Sequence, residues 1–217
     1  MQLPCRRFGR TNLEMPVLSL GGMRFQKSWD EMKFSEISLN DQNKVENILN
    51  LANKFGFQLP RWLQIEFSRV VQKKTEDSGG EINPDQIWDL FNKYYLESEK
   101  VISLENFKLE KQEGREFFTA QIDYFGKEIP ISGQGDGILD ALVEALKGSI
   151  NIDLEIMEYG EHALGQGADA EAVTYIQIRY EDKRYSGVAI SKDIVTSSIN
   201  AFMGAASQLL SEQQLAA

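Results

Sequence analysis

An internal repeat in the second half of the chain limits its possible folds more than any other feature of the sequence. When the sequence is shifted against itself by 56 positions, QIDYFGKEIPISGQGDGILDALVEAL, from Gln121, aligns with QIRYEDKRYSGVAISKDIVTSSINAF, from Gln177. Each copy has two strands of alternating apolar residues and then a helix with an apolar stripe. The stripes are Ile138, Leu142 and Leu146 in the first copy and Val195, Ile199, Phe202 and Ala206 in the second. The repeat predicts a duplicated strand-strand-helix domain with antiparallel sheets and packed helices.

The residues before the repeat predict helices. In residues 58–100, LPRWLQIEFSRVVQKK has an apolar face of Leu63, Phe67, Val70 and Val71, and NPDQIWDLFNKYYL begins with Asn83 as cap and Pro84 in the first turn. Further upstream, an apolar strand is expected at residues 17–20 and an amphipathic helix at residues 41–55. The predicted fold class is therefore α+β, with a short N-terminal strand-helix segment, a small helical subdomain and the duplicated domain.

Composition excludes several classes of partner. The chain has 217 residues, of which 42% are hydrophobic and 26% charged, and its net charge is -10. Nucleic acid is not an expected partner, because phosphate neutralisation needs a basic face. No apolar run approaches the length of a membrane span and no signal peptide is recognisable, so we expect a cytoplasmic protein without a membrane partner. The single cysteine, Cys5, excludes an intramolecular disulfide and a multi-cysteine metal site.

The glycine-rich stretch GQGDG, residues 133–137, is not a nucleotide-binding loop. The dinucleotide fingerprint requires a third glycine where this chain has Ile138, and no Gly-Lys-Ser/Thr follows for a phosphate loop. The second copy has ISKDI at its strand-to-helix passage, so we interpret the glycines as more than the fold requires and as room for a ligand. An anionic group would suit the helix N-terminus and a cationic group would suit Asp136 or Asp140. A zwitterionic amino acid satisfies both.

Five ordered motifs resemble the C-terminal part of 2-isopropylmalate synthase over residues 58–210. They are LPRWLQIEFSRVVQ, GGEINPDQIWDLFNKYYL, GQGDGILDALVEAL, MEYGEHALGQGADAEAVTYIQI and IVTSSINAF. The resemblance implies a helical linker subdomain at residues 58–100 and an allosteric domain at residues 101–217 that dimerises and binds leucine as feedback inhibitor. The effector site that it implies consists of Asp136, Gly137, Leu139, Asp140, Ile156, Tyr159, Ala163, Ala170 and Ala172.

The catalytic part of that family is a metal-dependent (β/α)8 barrel that condenses acetyl-CoA with a keto acid, with histidines and an acidic residue holding the metal. This chain has a single histidine, His162, which we expect to be a hydrogen-bonded structural residue because no other metal ligands cluster with it. Likewise, Glu158 and Glu161 are expected to form a solvated edge. No catalytic residue, metal or cofactor is therefore predicted, and the chain is not expected to be an enzyme on its own.

The N-terminal residues resemble a different family. RRFGRTNLEMPVLSLGGMRFQ is similar to the start of an aldo-keto reductase, which implies that residues 1–57 form a truncated segment of that barrel. The catalytic Asp, Tyr, Lys and His of that family lie on later strands that have no counterpart here. We therefore expect no reductase activity from this segment.

Two functions remain open at this stage. The first is an allosteric and dimerisation module that binds leucine or a related branched amino acid, as a homodimer or together with a full-length synthase. The second is a structural dimerisation or interaction protein whose effector pocket has decayed.

Overall fold

The computed structural model describes residues 5–7, 14–16, 56–78, 82–98, 100–165, 167 and 169–216. The chain divides into two compact units, Met1–Val45 and Glu46–Ala217. In the first unit, strand β1 (Cys5–Arg7) pairs antiparallel with β2 (Glu14–Pro16). The strand predicted at residues 17–20 and the helix predicted at residues 41–55 lie outside the described residues.

The second unit begins with the predicted helices. They are α1 (Arg61–Ser78) and α2 (Pro84–Phe91), and α2 continues into a π-helical turn, Asn92–Leu96. Asn83 caps α2 in a capping box: its side chain accepts from the Gln86 backbone N–H and the Gln86 side chain accepts from the Asn83 N–H. The predicted cap at Asn83 is confirmed.

Aromatic contacts hold these helices together. Phe67 and Phe91 are both fully buried, and their rings meet edge to face with centroids 5.2 Å apart. Of the predicted apolar face, Leu63 and Phe67 are buried, whereas Val70 and Val71 are half-buried at its rim. The same core includes three residues of the last sheet, Val173, Tyr175 and Val188. The helical subdomain therefore packs on that sheet.

The rest of the unit consists of two successive three-stranded antiparallel sheets, each followed by a helix. The first has β3 (Ile102–Gln112), β4 (Arg115–Tyr124), β5 (Lys127–Gly135) and α3 (Ile138–Ile150). The second has β6 (Glu155–Leu164), β7 (Glu171–Tyr180), β8 (Lys183–Ser191) and α4 (Ile194–Ala216). Both sheets follow chain order, β3-β4-β5 and β6-β7-β8. The duplicated strand-strand-helix architecture is confirmed, and each copy has a further strand in front of it.

A shared irregularity shows how closely the two copies correspond. β3 shifts register between Leu104 and Asn106, and β6 does so between Ile156 and Glu158. The residues opposite these bulges, Gln121 and Gln177, are the ones that begin the sequence repeat. Measured from these partners, the first strands correspond at an offset of 52 rather than 56 residues, since Asn106 matches Glu158. This change of offset hides the first strand from a repeat search at a fixed spacing.

One hydrophobic core joins the two copies. The predicted helical stripes contribute the fully buried Leu142, Leu146, Ile199 and Phe202. They pack with Phe118 of the first sheet and with Ile176 and Ile178 of the second sheet. Each helix thus covers one face of its own sheet, and the two covered faces form a continuous interior.

The two sheets differ on their other faces. Val173, Tyr175 and Val188 of the second sheet are buried under the helical subdomain. From the strand pairing, the matching residues of the first sheet are Phe117, Thr119 and Ser132. Ser132 and Thr119 are exposed and line a shallow groove of about 580 Å³ together with Asn106, Lys108, Gln121 and Pro130. The apolar residues of the second copy explain why the helices pack there and not on the first sheet.

Glycines let each helix approach its sheet at backbone distance. A Cβ added to Gly133 would lie 2.5 Å from the Ala145 backbone N, and one added to Gly135 would lie 2.5 Å from the Ala141 N. In the second copy, a Cβ on Gly187 would lie 2.7 Å from the Ala205 N. The interpretation that the glycines exceed what the fold requires is therefore wrong for Gly133 and Gly135, which are packing residues.

No described helix is long and apolar enough to cross a membrane.

We predict that Gly133→Ala lowers the free energy of unfolding by about 1–3 kcal/mol, because its new methyl group would collide with the α3 backbone. Gly148→Ala is the matched control: Gly148 lies within α3 with open space around it, so alanine should stabilise the chain by about 0.5–1 kcal/mol. Chemical denaturation measures both. Equal effects of the two substitutions would contradict this explanation of the glycine.

A second prediction tests the difference between the two sheet faces. Val188→Thr buries a hydroxyl under the helical subdomain and should cost about 1–3 kcal/mol of unfolding free energy. Ser132→Thr introduces the same side chain at the matching exposed position of the first sheet and should change stability by less than about 0.5 kcal/mol. If both variants unfold at the same denaturant concentration, the first sheet's face is not solvated as described.

Candidate effector site

Four of the predicted effector residues lie where β5 passes into α3. Gly137 is the N-cap of α3, with extended backbone, and Leu139 and Asp140 lie in the first turn. Asp136 is exposed and forms an ion pair with Arg115, whose Nε lies 3.7 Å from its Oδ1. A Cβ added to Gly137 would meet no atom within 4 Å, in contrast to Gly133 and Gly135. Of the three glycines, Gly137 alone borders open space.

The starts of the two matching helices are capped differently. At α4, the Asp193 carboxylate accepts a hydrogen bond of 2.8 Å from the Thr196 N–H, and this bond holds the pKa of Asp193 below its ordinary value. At α3, Gly137 occupies the matching position and provides no side-chain cap. The first N–H groups of α3 are therefore free of a local carboxylate, and they and the helix dipole favour an anionic group.

The other five predicted residues lie on β6, on β7 and in the connection between them. Ala163 and Ala172 are directly opposite each other in the β6–β7 ladder, and the half-buried Ala170 comes just before β7. Tyr159 lies on the same face of β6 as Ala163, towards α4. Ile156 lies at the far end of this face, where it packs against the core. Ala163, Ala170 and Ala172 thus form one small apolar area, and Ile156 belongs to the interior instead.

A chain of hydroxyl groups fixes Tyr159. The Ser198 hydroxyl of α4 lies 3.0 Å from the Tyr159 hydroxyl, which donates in turn to the Glu161 carboxylate at 2.5 Å. Burial, and next the hydrogen bond to Glu161, raises the pKa of Tyr159. The hydroxyl is therefore neutral at pH 7 and can donate one hydrogen bond and accept another.

Beside this chain, the buried Ser197 hydroxyl lies 2.8 Å from Thr174 Oγ1 and 3.2 Å from the Ala172 carbonyl oxygen. It ties the first turns of α4 to the strand that has Ala172. Sequence analysis missed Ser197, Ser198 and Asp193. A signal was present: two serines interrupt the apolar stripe of α4, and an aspartate directly precedes the helix, as N-caps do.

The described hydrogen bonds and ion pairs keep each predicted group within its own copy of the repeat. Asp136 contacts Arg115 in the first copy, and Tyr159 contacts Glu161 and Ser198 in the second. The groove of the first sheet has none of the predicted effector residues in its lining. Among the described residues, no group of three or more His, Cys, Asp or Glu side chains is arranged to hold a metal ion.

His162 is hydrogen-bonded, as predicted. Its Nε2 lies 3.1 Å from the Gly56 carbonyl oxygen and 3.3 Å from the Gln58 backbone N, and its ring stacks on Tyr175 with centroids 5.6 Å apart. Burial lowers the pKa of His162. The ring is therefore mainly neutral at pH 7.

Comparison with known families agrees with this architecture. The family model described as the LeuA allosteric (dimerisation) domain matches residues 81–210, which include α2, both copies of the repeat and all nine predicted effector residues. The chain belongs to the LeuA allosteric (dimerisation) domain family.

Several 2-isopropylmalate synthases are similar to this chain. The synthase of Clostridium acetobutylicum is 33% identical over 199 residues, that of Parafrankia sp. 34% over 205 residues, and that of Paraburkholderia phytofirmans 36% over 191 residues. These matches cover 87–92% of the chain but only 32–35% of each relative. The predicted resemblance to the regulatory part of the synthase is confirmed, and this chain spans about a third of the length of those synthases.

The matches also reach upstream of the LeuA allosteric domain. Residues 58–217 make up about three quarters of the chain, so alignments that cover 87–92% of it include part of the first 57 residues. The aldo-keto reductase resemblance of that segment and the division at residues 57 and 100 stay predictions.

We predict that the cap at α4 of this LeuA allosteric domain stabilises it. Asp193→Ala should lower the free energy of unfolding by about 1 kcal/mol at pH 7, because the Thr196 N–H loses its partner. The folded-state pKa of Asp193 is depressed, so the charged cap stabilises above its ordinary pKa of 3.8 and the difference between wild type and variant shrinks as pH falls through the lowered value. Denaturation at a series of pH values measures it. A pH-independent difference would contradict an ionised cap.

Proposed function

We propose that this chain is an allosteric module that binds leucine or a similar branched amino acid and pairs with a second copy of itself. As a regulatory part of a 2-isopropylmalate synthase-like acyltransferase, it would not catalyse the reaction on its own. The observation that supports the proposal most strongly is the pair of opposed alanines, Ala163 and Ala172, in a domain of the LeuA allosteric family.

The alanines suit the side chain of the effector. Their methyl groups leave more space than larger apolar residues would, and a branched aliphatic side chain can fill it. The neutral Tyr159 hydroxyl, held by Ser198 and Glu161, would bound this space on the same face of β6.

The start of α3 suits the carboxylate of the effector. Gly137 provides no cap and leaves space for a ligand, so the first N–H groups can donate to an anion. Asp140 in the same turn would attract the ammonium group of the amino acid. A zwitterion satisfies both requirements, which neither a simple anion nor a simple cation does.

Pairing of two copies would complete the site. Tyr159 and Ile194 are 45% and 52% exposed near the first turns of α4, and large apolar side chains at this exposure are typical of contact surfaces. We propose that a homodimer covers them and brings the start of α3 close to the alanines. A synthase chain with the same domain could pair in the same way.

Calorimetric titration with leucine, isoleucine and valine tests the proposal. Leucine should bind saturably, and at about 100 times its dissociation constant it should stabilise the fold by about 2.7 kcal/mol in a thermal unfolding experiment. If none of the three amino acids produces heat or stabilisation at millimolar concentration, the chain is instead a structural dimerisation protein with a decayed pocket.

A variant locates the carboxylate site. Gly137→Asp would place a carboxylate at the start of α3, where it caps the helix as Asp193 caps α4, and it should weaken leucine binding at least tenfold without loss of stability. Ser132→Asp adds the same charge at an exposed position of the first sheet and should leave the affinity unchanged. Equal affinity of the two variants would show that the effector does not use the start of α3.

A further inference from the structure

β6 separates two regions that differ in their proposed roles. On one face, Tyr159 and Ala163 point towards α4 and belong to the proposed effector site. On the other face, Gly160, His162 and Leu164 contact residues 56–60, which we call the lead-in segment because it leads into α1. Since successive residues of a strand face opposite sides, no other layer of structure lies between the two regions.

The lead-in segment touches β6 at three successive positions on that face. A Cβ added to Gly160 would lie 3.3 Å from Pro60 Cγ, and Leu164 Cδ2 would lie 3.3 Å from a Cβ added to Gly56. Between them, His162 hydrogen-bonds to the segment's backbone. With contacts this close, a displacement of β6 cannot leave the segment unaffected.

His162 can hold the lead-in segment in two ways. Its Nε2 lies within hydrogen-bond distance of an acceptor, the Gly56 carbonyl oxygen, and of a donor, the Gln58 N–H. A ring nitrogen of neutral histidine is either a donor or an acceptor, so the two bonds belong to different tautomers. The ring stacks on the buried Tyr175 of β7, which fixes its plane in the sheet. A small displacement of β6 can therefore change which of the two bonds is made.

We propose that β6 transmits events on its α4 face to the lead-in segment, and that His162 is the positioning residue that does so by exchanging Nε2 between the Gly56 carbonyl and the Gln58 N–H. The trigger rests on the proposed function, because leucine binding beside Tyr159 and Ala163 is the event that would displace β6. The consequence is a change in how the backbone that leads into α1 is held.

NMR of the full chain, with 15N-labelled histidine and backbone, tests the proposal. Leucine at saturation should shift the His162 Nε2 resonance between its protonated and unprotonated positions and change hydrogen exchange of the Gln58 amide about tenfold. In His162→Phe, which keeps a ring to stack on Tyr175 but makes neither bond, leucine should bind with an affinity within about threefold of wild type while Gln58 exchange no longer responds. His162→Gln, which keeps a donor and an acceptor, should restore part of the response and replaces the phenylalanine variant if that one fails to fold.

A leucine-independent arm separates this inference from the proposed function. Ala163→Leu fills the α4 face of β6 from within and should shift the His162 Nε2 resonance and alter Gln58 exchange without any ligand. The double variant with His162→Phe should lose the effect on Gln58. If wild type does not bind leucine, the proposed function fails and this arm still decides the inference. An unchanged His162 resonance in Ala163→Leu, or a Gln58 response that persists without the histidine, would overturn it.

Discussion

The close contact between each helix and its sheet is the constraint on which the rest of the structure depends. Gly133 in β5 and Gly187 in β8 have no side chain, so the backbones of α3 and α4 lie directly against the strands. The apolar stripes of both helices can then meet in one core between the sheets. This contact also sets where each helix begins, and therefore where the N–H groups of its first turn lie.

The two copies have kept this framework and changed what surrounds it. Asp193 caps α4 with its own carboxylate, whereas Gly137 leaves the start of α3 uncapped. Val188 packs under the helical subdomain, whereas Ser132 at the matching position is exposed. One copy has become a platform for the helices before it, and the other offers a helix start suited to an anion. Duplication thus provides two versions of the same unit with separate tasks.

The sequence predicted the parts of this structure that depend on local pattern. The apolar stripes, the Asn83 cap and the repeated strands follow from periodicity and capping rules, which act over a few residues. The first strand of each copy was missed because its offset changes from 52 to 56 residues between Asn106 and Gln121. The role of Gly133 could not be predicted, since the helix that requires it is brought there by tertiary packing. The hydroxyl chain through Ser198 joins a strand to a helix for the same reason.

Binding of a branched amino acid between the start of α3 and the opposed alanines is the central functional claim. Backbone NMR with leucine added stepwise tests it most directly, because each amide reports separately. The account predicts saturable shifts at residues 138–140 and at Ala163 and Ala172, with one common dissociation constant. Shifts confined to the groove of the first sheet, or the absence of any shift at millimolar leucine, would contradict it.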